Sequence, residues 1–154
     1  MSLPWDDVWM TMAIAIGQRS RCVRSQAGCV LVSFDQRVVS VGYNGPARSW
    51  RMDETRGTTC DVWCPRASTG GGLSYDDDVA IHAEANALIR ADFLQLEGGA
   101  AYVTRMPCFM CAKMLANSSI DRIVAKVNDE DKDRQPERSM EYLHDCGLSV
   151  DLIG

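Results

Sequence analysis

His82-Ala83-Glu84 and Pro107-Cys108-Phe109-Met110-Cys111, which bracket the stretch from Ile81 to Ala112, decide how this 154-residue chain is read. Two cysteines three apart at the start of a helix can face one ion. His82 supplies a third donor, and Glu84 reaches a metal-held water without taking a coordination place. Zinc sites that do chemistry use three protein ligands and leave the fourth position to water, whereas structural sites are closed by four. Zinc lowers the pKa of a bound water, so a nucleophile becomes available near neutral pH. The competing reading is a buried histidine beside an incidental cysteine pair. Against it, the chain has only two histidines, and this one falls in H-x-E with a strand-turn-helix context.

Twenty-two residues separate Glu84 from Pro107. A helix over Ala83 to Phe93 carries the chain away by about 16 Å at roughly 1.5 Å per residue. Gly98-Gly99 turns it, and a strand over Ala100 to Arg105 returns about 20 Å at roughly 3.3 Å per residue. The two legs nearly cancel, which brings Cys108 back to His82.

The length suits one domain, residues 1–154, able to bury its own core, with a long insertion at about 47–77. The longest apolar run, Val8 to Ile16, is too short to span a bilayer, and no secretory signal is visible. A net charge of −5 argues against a protein that grips a long nucleic acid. Seven cysteines, an odd number, point to reduced thiols, metal ligation and a cytoplasmic setting.

Pro4 to Ser20 reads as a helix with Trp5, Val8, Trp9, Met12 and Ile16 on a core-facing stripe. Ala27 to Ser33 and Arg37 to Val41 form a hairpin, and Gly42-Tyr43-Asn44-Gly45-Pro46 breaks its second strand by turn chemistry. Ala47 to Asp77 is irregular but contains Cys60 and Cys64, and Asp76-Asp77-Asp78 is either a cap ahead of the helix bearing His82 or a solvated acidic turn. Asp121 to Val127 is a strand, Glu137 to Cys146 a helix ended by Gly147, and Leu148 to Ile153 a last strand. His144 has no ligand-spaced partner and is expected to be structural or exposed. The alternation of helices and strands favours a three-layer α/β/α sandwich.

Together, Gln26-Ala27-Gly28-Cys29-Val30, Val41-Gly42-Tyr43-Asn44-Gly45-Pro46, His82-Ala83-Glu84-Ala85-Asn86-Ala87-Leu88, Ala101-Tyr102-Val103-Thr104 and Pro107-Cys108-Phe109-Met110-Cys111-Ala112-Lys113 resemble the deoxycytidylate (dCMP) deaminases, phage and bacterial members above all, within the cytidine deaminase-like superfamily. H-x-E followed by P-C-x-x-C is the signature of the zinc deaminases, which attack an amino-bearing ring carbon. The resemblance covers nearly the whole chain and implies a mixed central sheet. It also implies zinc-dependent hydrolysis of dCMP, or a 5-substituted dCMP, to the corresponding dUMP and ammonia.

By the same resemblance His82, Cys108 and Cys111 hold the zinc and Glu84 is the general acid and base. The Ala83 N–H and Asn44 hold the nucleotide, and Arg24 and Ser25 approach its phosphate. Cys22, Cys60 and Cys64 are implied as thiolates of a second, structural zinc with its fourth ligand unassigned; free, partly buried cysteines are the alternative. Many of these relatives are hexamers controlled by dCTP and dTTP, so a homo-oligomer, hexamer or dimer, is implied and an effector site with Mg is admitted. Met106 stands where tRNA adenosine deaminases usually have Glu before Pro-Cys, which with the acidic balance disfavours a tRNA substrate. Other functions consistent with the residues are deamination of deoxycytidine or dCTP, a non-catalytic zinc module, and a polynucleotide deaminase.

Overall fold

A computed structural model describes residues 2–50, 64, 79–128 and 136–154. Cys60, the acidic run at 76–78 and almost all of the 47–77 segment lie outside the described residues, so the expected acidic cap does too, and the second zinc set is described only at Cys22 and Cys64.

The first helix, α1 (Trp5–Gly17), has Asp6 and Asp7 in its first turn, where the helix dipole favours negative charge. Its buried residues are Trp9, Met10, Ala13 and Gly17. The inward face is therefore rotated from the expected stripe. Trp5 is 54% exposed and only stacks on Trp9, with ring centroids 5.0 Å apart. The cause is backbone proximity. A Cβ at Gly28 would lie 1.9 Å from the Ala13 carbonyl oxygen, so small residues must face the sheet there.

A hairpin of β1 (Gly28–Val32) and β2 (Val38–Tyr43) follows, antiparallel, with Val30 opposite Val41. β2 continues through Gly42-Tyr43, beyond the expected break, and neither Gly42 nor Gly45 has positive φ. Gly42 is needed for space instead. A Cβ there would lie 2.2 Å from the Ala83 carbonyl oxygen. A two-residue strand, β3 (Gly45–Pro46), then pairs with β4 (Ala80–Ile81), and helix α2 (Ala83–Leu88) begins directly after His82.

α2 is shorter than the expected helix to Phe93. The Arg90 and Ala91 N–H groups bond three residues back, to Ala87 and Leu88, which tightens and ends the helix. Asp92 then caps a separate 3-10 turn, Phe93–Leu96, by accepting from the Leu94 N–H at 3.1 Å. The outward leg is about 9 Å. The return strand β5 (Ala100–Val103) is correspondingly short, so the cancellation of legs survives.

Helix α3 (Phe109–Ala116), strand β6 (Arg122–Lys126), helix α4 (Pro136–Asp145) and strand β7 (Ser149–Ile153) complete the described chain. The sheet order is β2-β1-β5-β6-β7. β1 is antiparallel to both neighbours, while β5, β6 and β7 run parallel. Alternation along the strands splits the core in two. Val30, Val32, Ala100, Tyr102 and Val124 face α1. Cys29, Leu31, Ala101, Val103, Ile123 and Ala125 face the other way, in one cluster with residues of α2, α3 and α4. This is the expected α/β/α sandwich on a mixed sheet. Among the described residues no helix is long and apolar enough to cross a membrane.

Asp6 ties α1 to the sheet. It accepts from the Tyr102 hydroxyl at 2.6 Å and from both terminal nitrogens of Arg122 at 2.8 Å. Hydrogen bonding from Arg122 holds its carboxyl below the usual range. The folded state thus binds fewer protons than the unfolded chain near pH 3.8, and the contribution is present above that pH and fades as pH falls through the lowered value. Both side chains are about a third exposed, which keeps the effect modest, under about 1 kcal/mol. Asp6→Asn should lower the urea midpoint at pH 6 and narrow its difference from wild type at pH 3. Gly42→Ala should cost roughly 1–3 kcal/mol by thermal or urea unfolding, because the added methyl must displace α2 from β2.

Candidate active site

His82 is the N-cap residue of α2, with φ −66° and ψ 156°, and Cys108 is the N-cap residue of α3, with φ −66° and ψ 164°. Both helices therefore begin at the same place, above the carboxyl ends of the parallel strands. Glu84 and Cys111 lie in the first turns. The β3–β4 pairing sets Ile81 against Gly45, which fixes the approach to His82. Asn86 donates to the Tyr43 carbonyl at 2.9 Å, and the Ser40 hydroxyl donates to the Ala87 carbonyl at 2.8 Å, so α2 is fastened to β2 along its length.

The outcome is a compact donor set. The His82 Nδ1 lies 3.4 Å from the Cys108 Sγ and 3.4 Å from the Cys111 Sγ. All three donor atoms fall within 4.8 Å of one another. Tetrahedral zinc with bonds of roughly 2.0–2.3 Å sets its nitrogen and sulfur ligands about 3.5 Å apart, so the set fits zinc through Nδ1 of the imidazole. No other cluster of metal-ligating side chains occurs among the described residues. Hydrogen bonding from Cys111, followed by that from His82, brings Cys108 down to about 4, while Cys111 is pushed up.

Glu84 is 6% exposed and stands beside the three donors, within reach of Cys111. Burial raises its pKa, and the nearby His82 charge opposes the rise. Cys29, on β1, backs this carboxylate. Burial first, then Glu84, pushes its thiol well up, so it stays a neutral wall.

The remaining expected residues fall nearby. Asn44 is buried, and its side chain holds the 20–27 connection, with Oδ1 accepting from the Ala27 N–H at 2.8 Å and Nδ2 donating to the Ser25 carbonyl at 2.9 Å. Ala83, the first residue of α2, is fully buried. Arg24 and Ser25 line a cleft of about 400 Å³ together with Arg105, expected at the end of a strand, and Asn128, which directly follows the expected Asp121 to Val127 strand. The signal for Arg105 was a charge set between a buried strand and Cys108. Cys22 and Cys64 form no disulfide among the described residues, and His144 is exposed, as expected.

A model of the cytidine and deoxycytidylate deaminase zinc-binding region matches residues 3–127. The chain belongs to that family. It is 42% identical over 133 residues to the deoxycytidylate deaminase of Mycobacterium phage D29, across 80% of this chain and 96% of the relative. The deoxycytidylate deaminase of Saccharomyces cerevisiae is 29% identical over 148 residues, 95% of this chain and 44% of the yeast protein. Among solved structures, the dCMP deaminase from cyanophage S-TIM5 in complex with dCMP and dUMP superposes with a TM-score of 0.69 at 20% identity, over 99% of each chain. That likeness establishes the fold. The family and the donor set agree on zinc.

Metal content is the direct check. The protein purified without chelators should contain zinc. His82→Ala or Cys111→Ala should lower the content by about one zinc ion per chain by elemental analysis, since each removes one of three protein ligands of this site.

Proposed function

We propose that the protein hydrolyses the amino group of dCMP, or of a 5-substituted dCMP, giving the corresponding dUMP and ammonia. The observation that carries this reading is the meeting of His82, Cys108 and Cys111 beside the buried Glu84, in a chain whose 42% identical relative is a deoxycytidylate deaminase. His82, Cys108 and Cys111 would hold zinc, which when bound supplies an activated water and a Lewis acid.

Glu84 handles the protons. Its carboxylate accepts one from the attacking water and passes it to ring N3 as the amino-bearing carbon is attacked, since the neutral ring is a poor electrophile. It carries the second to the amino nitrogen, which leaves as ammonia. The Ala83 N–H, at the open start of α2, is placed to bind the ring carbonyl, because the first N–H groups of a helix lack intrahelical partners. Asn44 orients the nucleotide by holding the 20–27 connection and with its remaining amide hydrogen. Arg24 and Ser25 meet the phosphate. Hexameric or dimeric assembly, dCTP and dTTP control with Mg, and the second zinc on Cys22, Cys60 and Cys64 belong to the same proposal and rest on the family resemblance. A cytoplasmic setting follows from thiolate ligands, which need a reducing compartment.

Glu84→Gln should retain zinc and lose at least about 10²–10⁴-fold in kcat, read as loss of cytosine absorbance or release of ammonia from dCMP. Unchanged turnover in that variant overturns the mechanism. Elemental analysis after gentle purification should give two zinc ions per chain, falling to one in Cys22→Ala; one per chain in the wild type removes the second site.

A further inference from the structure

The cleft beside the donor set has a charge that the chain as a whole does not. The protein carries 21 acidic and 16 basic residues, yet among the described residues those lining this cleft include two arginines and no carboxylate. Its polar wall includes Gln18, Arg24, Ser25, Gln26, Thr104, Arg105 and Asn128. The walls come from four places in the chain, and two of them meet because β1 runs antiparallel to β5, so that its entry lies beside the exit of β5.

Most of that wall is already held in place by the fold. An Arg105 terminal nitrogen donates to the Ser25 hydroxyl. The Asn128 Nδ2 donates to the Thr104 carbonyl at 3.1 Å, and the Gln26 side-chain amide donates to the Ser20 carbonyl at 2.9 Å. The Thr104 hydroxyl accepts from the Gly28 N–H at 2.9 Å. α1 ends at the same cleft, where a helix carboxyl end bears about half a negative charge. The Ile14, Ile16 and Gly17 carbonyls there are also bonded, by Gln18, Arg19 and Ser20.

Position limits what the anion can be. Arg105 is three residues before Cys108, and three residues of extended chain span at most roughly 11 Å. Asn44 clamps Ser25 and Ala27 on the cleft side and is followed by Gly45, which pairs with Ile81 next to His82. Cleft and donor set thus share a wall, close enough for one small molecule to reach from one to the other.

We propose that Arg105 is a specificity-determining residue. It reads the 5′-phosphate of the nucleotide whose base stands over the His82, Cys108 and Cys111 set, with Arg24 and Asn128 completing the pocket. This rests on the deamination reading for the base, but not on any step of its chemistry. The planar guanidinium offers paired donors to two phosphate oxygens, and its bond to Ser25 fixes the direction in which it points.

Binding and turnover separate the outcomes. In calorimetry with the zinc-loaded protein, Arg105→Gln should lose about 10- to 100-fold in affinity for dUMP, the size of one charge-assisted contact, and keep its affinity for deoxyuridine. In turnover, KM for dCMP should rise by a similar factor with kcat little changed, and Arg105→Lys should restore part of the loss. Equal losses for dUMP and deoxyuridine would mean that Arg105 only supports the wall, and overturn the proposal, as would undiminished dUMP binding. If the wild type turns over dCMP with Arg105-independent binding, the pocket assignment falls and the deamination reading stands. If it does not turn over dCMP but binds inorganic phosphate in an Arg105-dependent way, the deamination reading falls and an anion pocket remains.

Discussion

The molecule depends on two helices starting at one point. An imidazole and two sulfurs within 4.8 Å of one another require α2 and α3 to present their first turns to the same small volume. Neither helix could do so alone. α2 is held by the missing side chain at Gly42, by the Ser40 and Asn86 bonds to and from β2, and by the β3–β4 pair that delivers His82. α3 is held by the short link from β5, the central parallel strand nearest β1. The sheet between them sets the distance, because β2, β1 and β5 are adjacent in it.

This arrangement also explains the division of labour among the motif residues. In H-A-E-A-N-A, His82 and Glu84 face the donor set, whereas Asn86 contributes by reaching the Tyr43 carbonyl. In G-Y-N-G, Gly42 makes room for α2 and Asn44 holds the entry to β1. Residues that a motif presents side by side therefore act at different levels, some on chemistry and some on the position of the chemistry.

The strands, the sandwich and the donor set were legible from residue type and spacing, since strong alternation and ligand chemistry are both local signals. The length of α2 was not. Its end depends on a tightening at Arg90 and Ala91 and on the Asp92 cap, which apolar periodicity does not register. The inward face of α1 was misread for a related reason. Large apolar side chains at Trp5 and Ile16 looked like core, but the helix sits so close to Gly28 that Ala13 and Gly17 occupy the contact. The cleft was missed because its walls, Arg24, Arg105 and Asn128, come together only through the antiparallel placement of β1 against β5.

The strand directions leave the two ends of the sheet with different freedoms. At one end lie the exits of β2, β5 and β6, with Asn44, Arg105 and Asn128 just beyond them. At the other, the Phe34–Arg37 turn approaches Gly98, Gly98 bonds to Ser119, and Ser149 bonds to Asp121. No donor or cleft residue lies among those connections. Natural or engineered insertions there meet only the demands of folding, so those connections are where this scaffold accepts added residues while its reactive end keeps its shape.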